Sequence, residues 1–161
     1  MGEVYDVLLV THSFVRWLVL AVCALTALRG FWGARAERPW TVSDQRFARG
    51  FVASVDLQVL LGMSLYFGVS PLARVARALW SAEGFGALWA QPVLRFVGVI
   101  HPSLALVAAT TAHVAWVAAR RTLLPSERHA RLAWGAALAL AAFLAAVPWP
   151  FLGHERPWFR F

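Results

Sequence analysis

Four stretches of this chain are so long and so apolar that they decide what it can fold into. They run roughly over residues 7–28, 50–70, 94–119 and 131–148, each long enough as a helix, at about 1.5 Å per residue, to cross about 30 Å of hydrocarbon. The connections between them are short. The expected fold is therefore all-α: an integral membrane four-helix bundle forming a single domain over residues 1–161. Composition points the same way, because 60% of the residues are apolar and only 14% charged, against roughly 25% charged in an ordinary soluble domain. A water-soluble fold of this size would lack the polar surface to cover itself.

All fifteen basic residues are arginine. Five lie in the first connection (Arg29, Arg35, Arg38, Arg46, Arg49) and four in the third (Arg120, Arg121, Arg128, Arg131). Short loops rich in arginine stay on the cytoplasmic side, which predicts an N-out, C-out topology with the 71–93 loop also outside. The same clustering explains the net charge of +7 without a nucleic-acid partner, since the arginines form no basic stripe on a soluble face. The acidic start, with Glu3 and Asp6, lacks the basic n-region of a secretory signal, so the first apolar segment is expected to stay in the mature protein.

Trp32, Trp40, Trp80, Trp89, Trp149 and Trp158 fall near the predicted span ends, where an indole anchors at the bilayer interface. In the 71–93 loop, Leu72, Val75, Leu79 and Trp80 recur at helical spacing after Pro71 while Arg74 and Arg77 occupy another face. This predicts a short amphipathic interfacial helix between helices two and three, broken at Gly84-Phe85-Gly86. The prolines of Pro148-Trp-Pro150 are expected to end the fourth helix. Cys23 is the only cysteine, so no intramolecular disulfide or CxxC motif exists.

An ionisable group in hydrocarbon is costly and marks a candidate site. The spans hold few: His12, Arg16, Asp56, Arg95, His101 and His113, with Gln58 and Tyr66 as neutral polar company. Counted from the outer ends of their helices, His12 is about 8 Å deep and His101 about 9 Å, so the two share a layer. Two imidazoles at one depth on separate helices can clamp a haem iron as axial ligands. They can equally hydrogen-bond a hydroxyl or carbonyl on a neighbouring helix. Pro102 disfavours helical geometry at His101, which predicts a kink there or the true start of the helix.

Ser54, Gln58, Gly62 and Tyr66 align at intervals of four, and Arg16 or Arg95 is suited to hold haem propionates. His113 follows His101 by twelve residues, a turn of about 120° around the helix, so as a second-site candidate it cannot point the same way. Asp56 is expected to form an intramembrane ion pair with Arg16. His129 and His154 are expected to be solvated.

The segments Thr11-His-Ser-Phe-Val-Arg-Trp17, Leu60-Leu-Gly-Met-Ser-Leu-Tyr-Phe67, Leu94-Arg-Phe-Val-Gly-Val-Ile-His101 and Pro148-Trp-Pro150 resemble a family of four-helix bacterial membrane proteins often labelled cytochrome b-like. The resemblance covers nearly the whole chain. It implies a multi-pass protein of the bacterial cytoplasmic (inner) membrane, with His12, Arg16, Gln58, Gly62, Tyr66, Arg95 and His101 as its pocket residues. The position of Asp56 looks like a histidine in some relatives, and a carboxylate there is a poor haem ligand, which puts a second haem in doubt.

Three functions compete. The first is a b-type cytochrome-like electron carrier, or the haem subunit of a redox complex, holding one haem b and exchanging electrons with quinone near the outer face. The second is a cofactor-free accessory subunit that packs against other membrane subunits or itself. The third is a small proton or ion pathway through Asp56, His113 and Arg16. With no Walker loop, HExxH, GxSxG elbow or cysteine cluster, hydrolytic, zinc and nucleotide-driven chemistry have no anchor.

Overall fold

The computed structural model describes residues 2–149, and among them every regular element is helical. Helix α1 spans Gly2–Arg35. Helix α2 spans Val42–Met63 and continues as a π segment over Ser64–Val69. Two short helices follow, α3 over Pro71–Glu83 and α4 over Phe85–Ala90. The next long helix begins as α5 (Pro92–Arg95), passes through a second π segment (Phe96–Ile100) and continues as α6 (His101–Arg121). Helix α7 spans Pro125–Ala146. Four of the resulting rods are long and apolar enough to cross a membrane: Gly2–Arg35, Val42–Val69, Pro92–Arg121 and Pro125–Ala146.

Each boundary has a local cause. Thr41 caps α2 by accepting from Asp44 N–H, while the Asp44 carboxylate accepts from Thr41 N–H at 2.9 Å, a reciprocal capping box. Ser70 caps α3 ahead of Pro71, and Gly84, at φ 88°, ends it in a conformation that disfavours any side chain.

The π segments trace to two prolines. In a regular helix the Gly98 carbonyl would accept from residue 102, but Pro102 has no N–H; the Tyr66 hydroxyl donates to that carbonyl instead, at 2.9 Å. In π register the Tyr66 carbonyl would look to Pro71, which also lacks a donor, and the Arg77 guanidinium supplies one. His101 itself keeps right-handed helical angles (φ −59°, ψ −52°). The disturbance expected from Pro102 is thus taken up one turn earlier, and the rod runs unbroken from Pro92 to Arg121.

The alanine-rich α7 is the most closely packed rod. It packs on both α1 and α6, with Ala133, Ala136 and Ala139 fully enclosed. Small residues let the backbones approach: Gly30 faces Ala133, and Gly135 faces Ala115. A Cβ at Gly135 would collide with the Ala115 methyl, which sits on rigid helix backbone. Gly135→Val is therefore expected to lower stability by about 1–3 kcal/mol through overpacking. A thermal melt in detergent that matched the parent would mean the two helices part without cost.

Helix α3 packs on the bundle through small residues. Its buried face is the small pair Ala73 and Ala76, with Ala76 lying against Gly98, whereas Val75 and Trp80 of the apolar stripe are about half exposed. Two indoles expected at span ends make internal contacts. Trp149 packs edge-on against Trp17 with centroids 6.4 Å apart, and Trp40 lies 4.9 Å from the His129 ring. Trp158 and His154 fall outside the described residues.

Candidate functional site

One large cavity, about 520 Å³, opens between α1, α2, α6, α7 and the two π segments. That volume lies within the roughly 300–1,000 Å³ typical of small-molecule and cofactor sites. On α1 the residues Tyr5, Leu9, His12, Ser13 and Arg16 reach it because positions three and four apart share a helix face. Helix α2 contributes Gln58 and Gly62, and its π segment Tyr66. From the third rod come Phe96, Gly98, His101 and Ala105, while Phe143 and Ala146 of α7 close the side. Apart from the polar groups named here, the lining is mostly aliphatic and aromatic.

The two histidines expected to share a layer do meet. Their ring centroids are 6.1 Å apart with the planes inclined at 68°. The His101 Nδ1 lies 2.7 Å from the Ala146 carbonyl oxygen. A carbonyl only accepts, so Nδ1 carries a proton and the ring's other nitrogen, Nε2, is the one that could bind a metal.

His12 is held by Gln58. The amide nitrogen donates to the His12 carbonyl at 3.3 Å and lies 3.2 and 3.3 Å from the two ring nitrogens. Gln58 is only 5% exposed, and its Oε1 has no hydrogen-bond partner among the described residues. A buried acceptor lining a cavity calls for a donor from whatever fills that cavity. Gly62 supplies the room, since a Cβ there would approach His12 Cε1 to 3.3 Å.

Two π segments bordering one cavity fit the tendency of such distortions to occur at functional sites. Here the Tyr66 side chain ties them together through Gly98, and Arg77 stacks over the Tyr66 ring at 5.1 Å. Arg16 stays in the cavity, 3.4 Å from Ser13 Oγ and over the Trp17 ring at 5.1 Å.

Three expected placements are corrected. Arg95 does not line the cavity; its guanidinium donates to the Trp89 carbonyl at 3.0 Å and stacks on that indole. Asp56 pairs with His113 rather than Arg16, with Asp56 Oδ1 2.8 Å from His113 Nε2. The reason is angular: Asp56 precedes Gln58 by two residues, about 200° around the helix, so turning Gln58 toward His12 turns Asp56 away. His113 stands with it on the outward face and borders no cavity residue's pocket.

His129, expected in solvent, is 1% exposed. It packs against Gly33, where a Cβ would come within 2.5 Å of its Nδ1, and under Trp40. The Gly30-x-x-Gly33 spacing was the signal that a bulky neighbour sits there.

No family model matches the chain, no curated protein matches it, and no solved structure matches it. Any functional reading has to come from the cavity and its residues.

Proposed function

We propose that this is a multi-pass protein of the bacterial cytoplasmic membrane that holds one haem b between His12 and His101 and passes single electrons near the extracytoplasmic face, with quinone as the exchange partner. The observation that carries the reading is the close approach of the two histidine rings. Two imidazoles on opposite sides of one metal, with metal–nitrogen bonds of about 2 Å, have ring centroids about 6 Å apart, and these lie at 6.1 Å.

Donor chemistry supports a macrocycle over a bare ion. Among the described residues no group of three histidine, cysteine or carboxylate side chains could hold a metal, whereas a haem iron needs only two axial ligands from the protein. Metal-binding histidines commonly donate their second nitrogen to a carbonyl. His101 makes that bond to Ala146, while beside His12 the Gln58 amide nitrogen is a donor that holds the His12 carbonyl. Arg16, inside the cavity, would hold a propionate through charge-assisted hydrogen bonds. The haem would supply the one-electron couple. The chain's own share is to fix both rings, exclude water with its apolar lining, and set the charge around the iron.

The test is a visible spectrum of the detergent-purified protein, oxidised and then reduced with dithionite. A Soret band that sharpens and shifts on reduction, with split α and β bands, is the expected result. A flat spectrum after expression with ample haem would discard the reading. It would favour a cofactor-free accessory subunit, for which the specific support is that the His101–Ala146 bond ties α6 to α7 without any cofactor.

A further inference from the structure

The Asp56–His113 pair takes no part in the cavity. Both side chains are about half exposed, 52% and 51%, on the outward face formed by α2 and α6. Asp56 lies seven residues from Arg49 and His113 seven from Arg120, about 10 Å along each helix from those arginines. In a spanning helix that depth is hydrocarbon. Neither short side chain can reach water by extending along the helix, as a long arginine does. An ionisable pair left facing lipid is costly.

We propose that this face docks a second copy of the chain, each copy's Asp56–His113 pair completing the other's across a two-fold axis along the membrane normal. A net-neutral Asp56–His113 pair holds two protons. One lies in the 2.8 Å contact between Oδ1 and Nε2. The second sits on Nδ1 or on Oδ2. In either arrangement each copy presents one donor and one acceptor, and neither Nδ1 nor Oδ2 makes a hydrogen bond among the described residues.

A self-complementary patch of this kind is what an isologous interface requires. Depth selects the occupant. Two copies inserted in the same orientation bring Asp56 and His113 to one level automatically, whereas an unrelated helix would have to carry a matching pair at that level. Around the pair, Ala53 and Thr110 are small and exposed, and Leu60 and Val117 are 62% and 41% exposed, a surface suited to close helix packing. Arg49 and Arg120 would repel their counterparts, but at the water-facing end salt screens such charges beyond about 8–10 Å.

The inference depends on the helices spanning a bilayer and is independent of haem. It is tested in native membranes with Ala53→Cys in a Cys23→Ala background, oxidised with copper phenanthroline. The expected product is a disulfide-linked band of twice the chain mass, absent for Leu138→Cys on α7. Adding Asp56→Ala and His113→Ala together should cut the linked fraction roughly tenfold, as the loss of two interhelical hydrogen bonds would. The exchange Asp56→His with His113→Asp should restore it. No linked band at position 53, or a double-alanine variant that links as fully as the parent, overturns the proposal. So does a different polypeptide cross-linked at position 53. A colourless protein that still links there would remove the haem reading alone.

Discussion

Replacing His101 with alanine is expected to strip the Soret band from the purified protein, and replacing His12 is expected to do the same. The two ring centroids lie 6.1 Å apart, so under the haem reading removing either leaves the iron with one protein ligand in a cavity lined, among the described residues, by no third histidine. Gln58→Leu should act more mildly. It keeps both ligands and removes the amide that orients His12, a change that typically weakens metal retention about 10–100-fold. His113→Ala, on the outward face with Asp56, should leave the spectrum of the purified protein unchanged. A Soret band surviving in one histidine variant alone would mean that the iron takes another residue on that side. Bands surviving in both would end the bis-histidine assignment.

The meeting of His12 and His101 was legible in the sequence because it depends on depth, and depth follows from a fixed rise per residue once the span ends are set. The alignment of Gln58 with Gly62 was legible for a similar reason, since four-residue spacing keeps one helix face. What depth cannot supply is azimuth. Asp56 and Arg16 stand at comparable levels, yet the face that gives Gln58 to His12 sends Asp56 outward to His113. That two-residue offset was already present in the sequence.

Arg95 was harder to foresee. The π segment over Phe96–Ile100 changes the number of residues per turn between Arg95 and His101, so the regular period no longer relates their directions. The partner of His101 is a backbone carbonyl on α7, and no side-chain pattern announces a carbonyl. The lack of bulk in the alanine-rich fourth span is what lets α7 pack closely on both α1 and α6.

At the arginine-rich end, one carboxylate does the work of three contacts, and removing it should cause the largest loss of stability of any single polar change. Asp44, with its side chain 3% exposed, accepts from Arg29 Nε at 2.8 Å, from Thr41 N–H at 2.9 Å and from the Thr41 hydroxyl. Asp44→Ala removes one half of the capping box, the bond from Thr41 N–H, while Thr41 Oγ1 still accepts from the N–H of residue 44. It also leaves Arg29 beside a partner it no longer has. Breaking a fully buried pair costs about 3–5 kcal/mol, but Arg29 is 28% exposed, so solvent recovers part of that and a total of about 3 kcal/mol is expected. For a chain of this size each kcal/mol moves the melting temperature by about 2–4 °C, so the midpoint should fall by roughly 6–12 °C. Asp44→Asn separates the two contributions. Its carbonyl can still accept from Thr41 N–H while the charge opposite Arg29 is gone, which should give an intermediate midpoint. If both variants melt together with the parent, the Asp44 carboxylate contributes nothing to holding α1 against α2.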